Sequence, residues 1–184
     1  MNDLYPEVME QIYHDLYTGF HVLGIPERKF KIKLYDHESH IKRDNRYGYV
    51  IDDDDWLEFY LADKMIETER DKANLSFVVW STLRWWYRRE CLRHWNSTHE
   101  LYGNIIETDI DIFKAFIPSM VWITRKDFDF SQKFYDQLAF HDMHAFALMM
   151  LRHYWPEYCS EYCADNATVQ SRVDELAERY SKAF

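Results

Sequence analysis

Apolar and polar positions sort most clearly between Leu75 and Trp95, LSFVVWSTLRWWYRRECLRHW, a stretch with no Gly or Pro. It is too long for a strand and predicts a helix, with Asn74 or Ser76 near its N-cap. At 100° per residue, Val79, Trp80, Leu83, Trp86, Tyr87 and Cys91 share one side. That side should be core, because exposing several large apolar groups costs several kcal/mol. Arg84, Arg88, Arg89 and Arg93 fan across the other side, with Trp85 and Leu92 between them. Such a face could bind phosphate or carboxylate through guanidinium forks, or pair with the chain's own carboxylates, the commoner fate of a charged helix face. Glu90 and His94 fall within the apolar sector, where a buried Glu must be neutral or partnered. An internal Glu–His pair satisfies both; half of a metal site is the sharper alternative.

The remaining pattern divides into strands and helices. Asp3 can cap a first helix over about 4–18, with Val8 or Met9, Ile12 and Leu16 inward and Gly19, Gly24 and Pro26 ending it. Lys29, Lys31 and Lys33 alternate with Phe30, Ile32 and Leu34, as in a half-buried strand. Tyr47–Ile51 and Trp56–Leu61 read as two more strands, with the acidic turn Asp52–Asp55 between them. Three strands in succession within 29–61 predict an antiparallel meander. Further helices are expected over 75–95, 107–117, 131–155 and 167–182. The fourth, stopped by Pro156, is apolar nearly all round from Leu138 to Leu151, so it should be central. The expected fold class is therefore α+β: a single domain over 1–184, with a small three-stranded antiparallel meander packed on about five helices.

Composition supports a folded chain. The 184 residues are 47% hydrophobic and 18% aromatic, with four Gly and four Pro. A domain this size buries about 70% of its unfolded surface and needs no staples. The three cysteines, Cys91, Cys159 and Cys163, lack a disulfide framework or CxxC spacing. The acidic N-terminus has no apolar signal-peptide core, and no run of about 20 apolar residues occurs. These features lead to the expectation of a cytoplasmic protein without a membrane partner.

Charge changes the picture of the partner. With 32 acidic and 22 basic residues the formal net charge is −10. Nucleic-acid binders are normally basic, so direct nucleic-acid binding is disfavoured. An acidic chain can instead engage a basic protein surface, including that of a nucleic-acid-binding host protein. The acidic residues that would do so are Asp52, Asp53, Asp54, Asp55, Glu58, Asp63 and Glu67. Arg84, Arg88, Arg89 and Arg93 are the alternative, anion-binding set.

Nine histidines invite a metal search. Glu90 and His94 facing His141 and His144 would form a carboxylate–histidine site between helices, but neither HExxH nor a second Glu-x-x-His occurs. Asp52–Asp55 fails the EF-hand pattern, with Leu57 at the sixth position and Asp63 at the twelfth. Gly-rich phosphate loops and a GxSxG elbow are absent. The order helix, strands, long helix resembles, in topology alone, the opening of small zinc proteases. The stretch that would carry their metal-binding histidines is Thr82–Arg89 here, TLRWWYRR, without a ligand. The resemblance thus implies a chain without that activity.

The sequence therefore predicts a non-enzymatic, acidic protein-binding protein without a cofactor. A viral or mobile-element inhibitor, or a nucleic-acid-mimicking decoy, fits that class. A metal-dependent enzyme using the helix-borne Glu and His residues, and a structural subunit of a larger, virion-like assembly, are the alternatives.

Overall fold

The computed structural model describes residues 6–26, 30–36, 48–51, 56–61, 68–98, 138–162 and 167–184. Within the strands only the side chain of Ile32 is described, and within 89–98 only that of Cys91.

Helix α1 spans Pro6–Leu23 and buries Val8, Met9, Ile12, Leu16 and Phe20. It runs past Thr18 because Gly19 is not its end. A Cβ at Gly19 would collide with Leu83 Cδ2 of the next helix, so this glycine is a point of close helix approach. The helix ends at Gly24, whose φ is 63°. The Gly24 N–H donates to the His21 carbonyl at 3.0 Å and the Ile25 N–H to the Phe20 carbonyl at 3.2 Å. That bond pair is a Schellman motif, and the left-handed residue it requires is glycine.

Helix α2 spans Glu69–Thr98 and starts six residues before the expected 75. Its cap is Thr68. The Asp71 N–H donates to Thr68 Oγ1 at 3.2 Å, and the Thr68 N–H donates to Asp71 Oδ2 at 2.9 Å. This reciprocal box satisfies two orphan donors. Val79, Trp80, Leu83, Trp86, Tyr87 and Cys91 are all buried. Trp86 lies edge-on to Phe20 and Phe30, at 6.3 and 5.1 Å between ring centroids. Trp80 donates its indole N–H to the Asp15 carbonyl oxygen at 3.0 Å.

Helix α3 spans Leu138–Tyr154, and its run Ala145–Leu151 is wholly buried. Pro156 opens the short helix α4, Pro156–Cys159, which leads into a 3-10 turn, Ser160–Tyr162. Helix α5, Ala167–Arg179, buries Val169, Val173 and Leu176, with Tyr180 buried just beyond it. No helix among the described residues is long and apolar enough to cross a membrane.

The expected fold class needs correction: the described body is helical, not an α+β fold with an antiparallel meander. Three short extended stretches, β1 (Lys31–Asp36), β2 (Gly48–Ile51) and β3 (Trp56–Leu61), are a minor addition to it. They are ordered β1-β3-β2, with β1 parallel to β3 (Lys31 opposite Trp56) and β2 antiparallel to it (Gly48 opposite Phe59). In a meander β2 would be central and every pair antiparallel. Alternation of side chains signals extended backbone but carries no information about which neighbour it pairs with. The helix expected over 107–117 and the first residues of that over 131–155 lie outside the described residues.

Candidate functional site

Arg84 and Arg88 are one helical turn apart on α2, so both point across the same face. That face meets α3 at Asp142. Arg84 Nε donates to Asp142 Oδ2 at 2.8 Å and Arg84 Nη2 to Oδ1 at 3.1 Å. Arg88 Nε donates to Oδ2 at 3.0 Å. From α5, Arg172 Nε donates to Oδ1 at 2.9 Å. Three guanidiniums from two helices thus converge on one carboxylate of a third. Arg84 also donates through Nη1 to Tyr180 Oη at 3.3 Å, and its charge lies 5.1 Å from the Phe146 ring centroid. Arg172 reaches outward to Glu175 at 2.6 Å, and Glu175 also receives Arg179 at 3.1 Å.

Burial of Asp142 works to raise its pKa. The charges of Arg84, Arg88 and Arg172, with the Arg84 hydrogen bond, outweigh it and hold the carboxyl well below its ordinary range. Asp142 is therefore an ionised, acceptor-only group with its oxygens occupied, which suits neither proton transfer nor nucleophilic attack. What it does is tie α2, α3 and α5 together. Loss of one partner from such a cluster is severe, because the other charges stay buried.

Flanking Asp142 on α3 are His141 and His144. Both ring nitrogens of His141, and Nε2 of His144, are buried without a hydrogen-bond partner among the described residues. His144 bonds the backbone of Tyr162 with its other nitrogen and lies edge-on to Phe77 at 4.9 Å. Burial lowers its pKa, the Tyr162 bond works against that, and the charge of His141 adds to the lowering. A second buried carboxyl, Asp15, sits between α1 and α2. It receives Gln11 Nε2 at 3.0 Å and lies 3.4 Å from His14 Nδ1, while Oδ2 has no partner among the described residues.

The expected site residues distribute as follows. Arg84 and Arg88 are buried on Asp142, while the side chains of Arg89 and Arg93 lie outside the described residues. His141 and His144 are close enough for charge on one to act on the other; the side chains of Glu90 and His94 are outside the described set. Among the described residues no group of three or more His, Cys, Asp or Glu could hold a metal ion. Asp52, Asp53, Asp54, Asp55, Asp63 and Glu67 lie outside the described residues. Glu58 is placed only by its backbone in β3, opposite Lys33 and Tyr49. Sequence reasoning did not find Asp142 as the hub, nor Arg172, Tyr180 and Asp15. The available signal was a lone Asp in the otherwise apolar run 138–151. A buried carboxylate in such a run must have a cationic or hydrogen-bonding partner.

No family model, curated protein or solved structure matches this chain.

Proposed function

We propose that the chain is a non-enzymatic, acidic protein-binding protein whose partner presents a basic surface, of the kind a nucleic-acid-binding protein uses for its own ligand. The observation that supports this is the inward position of Arg84 and Arg88, both buried against Asp142 in a chain of net charge −10. Interior pairing thus keeps these two guanidiniums from an outside anion, while the field of the whole chain is that of its net charge of −10. Complementary charge speeds encounter with a basic groove and repels nucleic acid. An inhibitor or nucleic-acid-mimicking decoy acts by this chemistry.

A competition experiment tests the reading. Labelled duplex DNA is bound to a basic DNA-binding domain and the chain is titrated in. Displacement is expected at low salt and should weaken as salt shortens the Debye length from about 30 Å at 0.01 M toward 8 Å. Replacing Asp52–Asp55 by Asn should slow association without altering the helical circular-dichroism signal. A gel shift of the DNA by the chain itself, or displacement indifferent to salt, would overturn the proposal.

A further inference from the structure

His144 meets the backbone of Tyr162, an interaction that works to raise its pKa, as a ring N–H donating to the carbonyl would. The other nitrogen, Nε2, is buried and without a hydrogen-bond partner among the described residues. Protonating Nε2 would create a buried cationic N–H with no acceptor among the described residues, which is costlier than the same event in water.

The described groups around the ring are aromatic or already charge-paired. Helix α2 brings Phe77 at 4.9 Å and, further along, Arg84 and Arg88. Helix α3 itself supplies Phe140 at 5.7 Å, His141 and Asp142. The 3-10 turn supplies Tyr162, whose ring stacks on Phe77 at 5.0 Å. Helix α5 supplies Arg172, which is also directed at Asp142. The carboxylate on this segment is thus already shared by three guanidiniums, and a proton on the His144 ring adds like charge.

We propose that His144 is an acid-operated latch that holds the Ser160–Tyr162 turn and Phe77 against α3 at neutral pH and releases them on acidification. Burial lowers the ring's pKa from 6.5. The latch therefore contributes its full stability above 6.5 and loses it as pH falls through the lowered value. Each unit of lowering corresponds to about a tenfold smaller closed-to-open ratio once the ring is protonated.

The test combines two measurements on the full chain. The His144 ring is titrated by NMR, and amide exchange across Ser160–Tyr162 and α3 is followed over the same range, in the wild type and in His144→Gln. Glutamine keeps an N–H for the Tyr162 carbonyl but does not titrate. In the wild type the ring should titrate below 6.5, and exchange in the turn, relative to the intrinsic rate of a free amide at each pH, should rise severalfold with the same midpoint; His144→Gln should lose that rise. Titration at or above 6.5, or a rise that persists in His144→Gln, would overturn the proposal. Should the variant fail to fold, the wild-type midpoints alone still decide, since exchange that does not track the ring contradicts the latch.

Discussion

Arg84 and Asp142 meet as a two-pronged fork, 2.8 and 3.1 Å long, with their side chains 0% and 1% exposed. Arg88 and Arg172 complete the same carboxylate from two directions. The arrangement concentrates the contact of three helices in one charge. Asp142→Asn preserves the side chain's size but removes the buried negative charge that Arg84, Arg88 and Arg172 share. It should cost about 3–5 kcal/mol. Urea unfolding at neutral pH measures this, and a loss below about 1 kcal/mol would mean that the three cations find another counter-charge at little cost.

The faces of α2 were legible because a period of 3.6 needs only local spacing, and Trp80, Leu83, Trp86 and Tyr87 obey it. The destination of Arg84 and Arg88 was not. Their partner is 58 and 54 residues away, and spacing along one helix cannot name a carboxylate on another. Thr68 and Asp71 form a capping box that the sequence carried openly. The charged run around it drew the expected helix start to 75 instead. Gly19 illustrates an ambiguity of residue type, since glycine both stops helices and lets them approach, and only the presence of Leu83 decides between the two. The strand order failed for a related reason. Pairing of β1 with β3 is a tertiary outcome, whereas a meander is merely the default for neighbours in sequence.

Trp86 is where the first helix and the segment before β1 join the core. Phe20 and Phe30 stack on each other at 5.4 Å, and both lie edge-on to the indole. Removing it opens a cavity that touches two elements at once. Trp86→Ala should therefore cost about 3–5 kcal/mol. A denaturant melt showing less than about 1 kcal/mol would assign the packing of α1 to other residues.

Gly19→Ala tests how tightly α1 and α2 are pressed together. Alanine gains about 1 kcal/mol of helix propensity over glycine. Against that, its methyl meets Leu83 Cδ2, and overpacking a core costs about 1–3 kcal/mol. A net loss of up to about 2 kcal/mol is expected. The diagnostic is coupling: combined with Leu83→Ala, the glycine substitution should lose its penalty, because the colliding atom is gone. Strictly additive losses in that double-mutant cycle would place the strain elsewhere.

Asp15 should make stability fall as pH rises, the opposite sense to His144. Burial raises its pKa above 3.8, and the hydrogen bonds from His14, Ser76 and Gln11 only partly offset that. Its contribution is thus full below 3.8 and is lost as pH climbs through the raised value. His14 acts in the same direction. The hydrogen bond to Asp15 raises its pKa above 6.5 against the effect of its own burial, so its contribution is full below 6.5 and fades as pH passes the raised value. Above that point Asp15 is ionised beside a neutral ring, its least favourable state. Asp15→Asn cannot ionise, yet its amide oxygen can still accept from Gln11. The stability of the variant relative to wild type should therefore increase as pH rises from 3.8 through the raised Asp15 value, and from 6.5 through the raised His14 value. Taking the difference between the two proteins cancels the contribution of His144, which both share. The His14 ring, followed by NMR, should titrate lower in the variant. A difference that stays flat or falls as pH rises would show instead that the ionised carboxylate is favoured where it is buried.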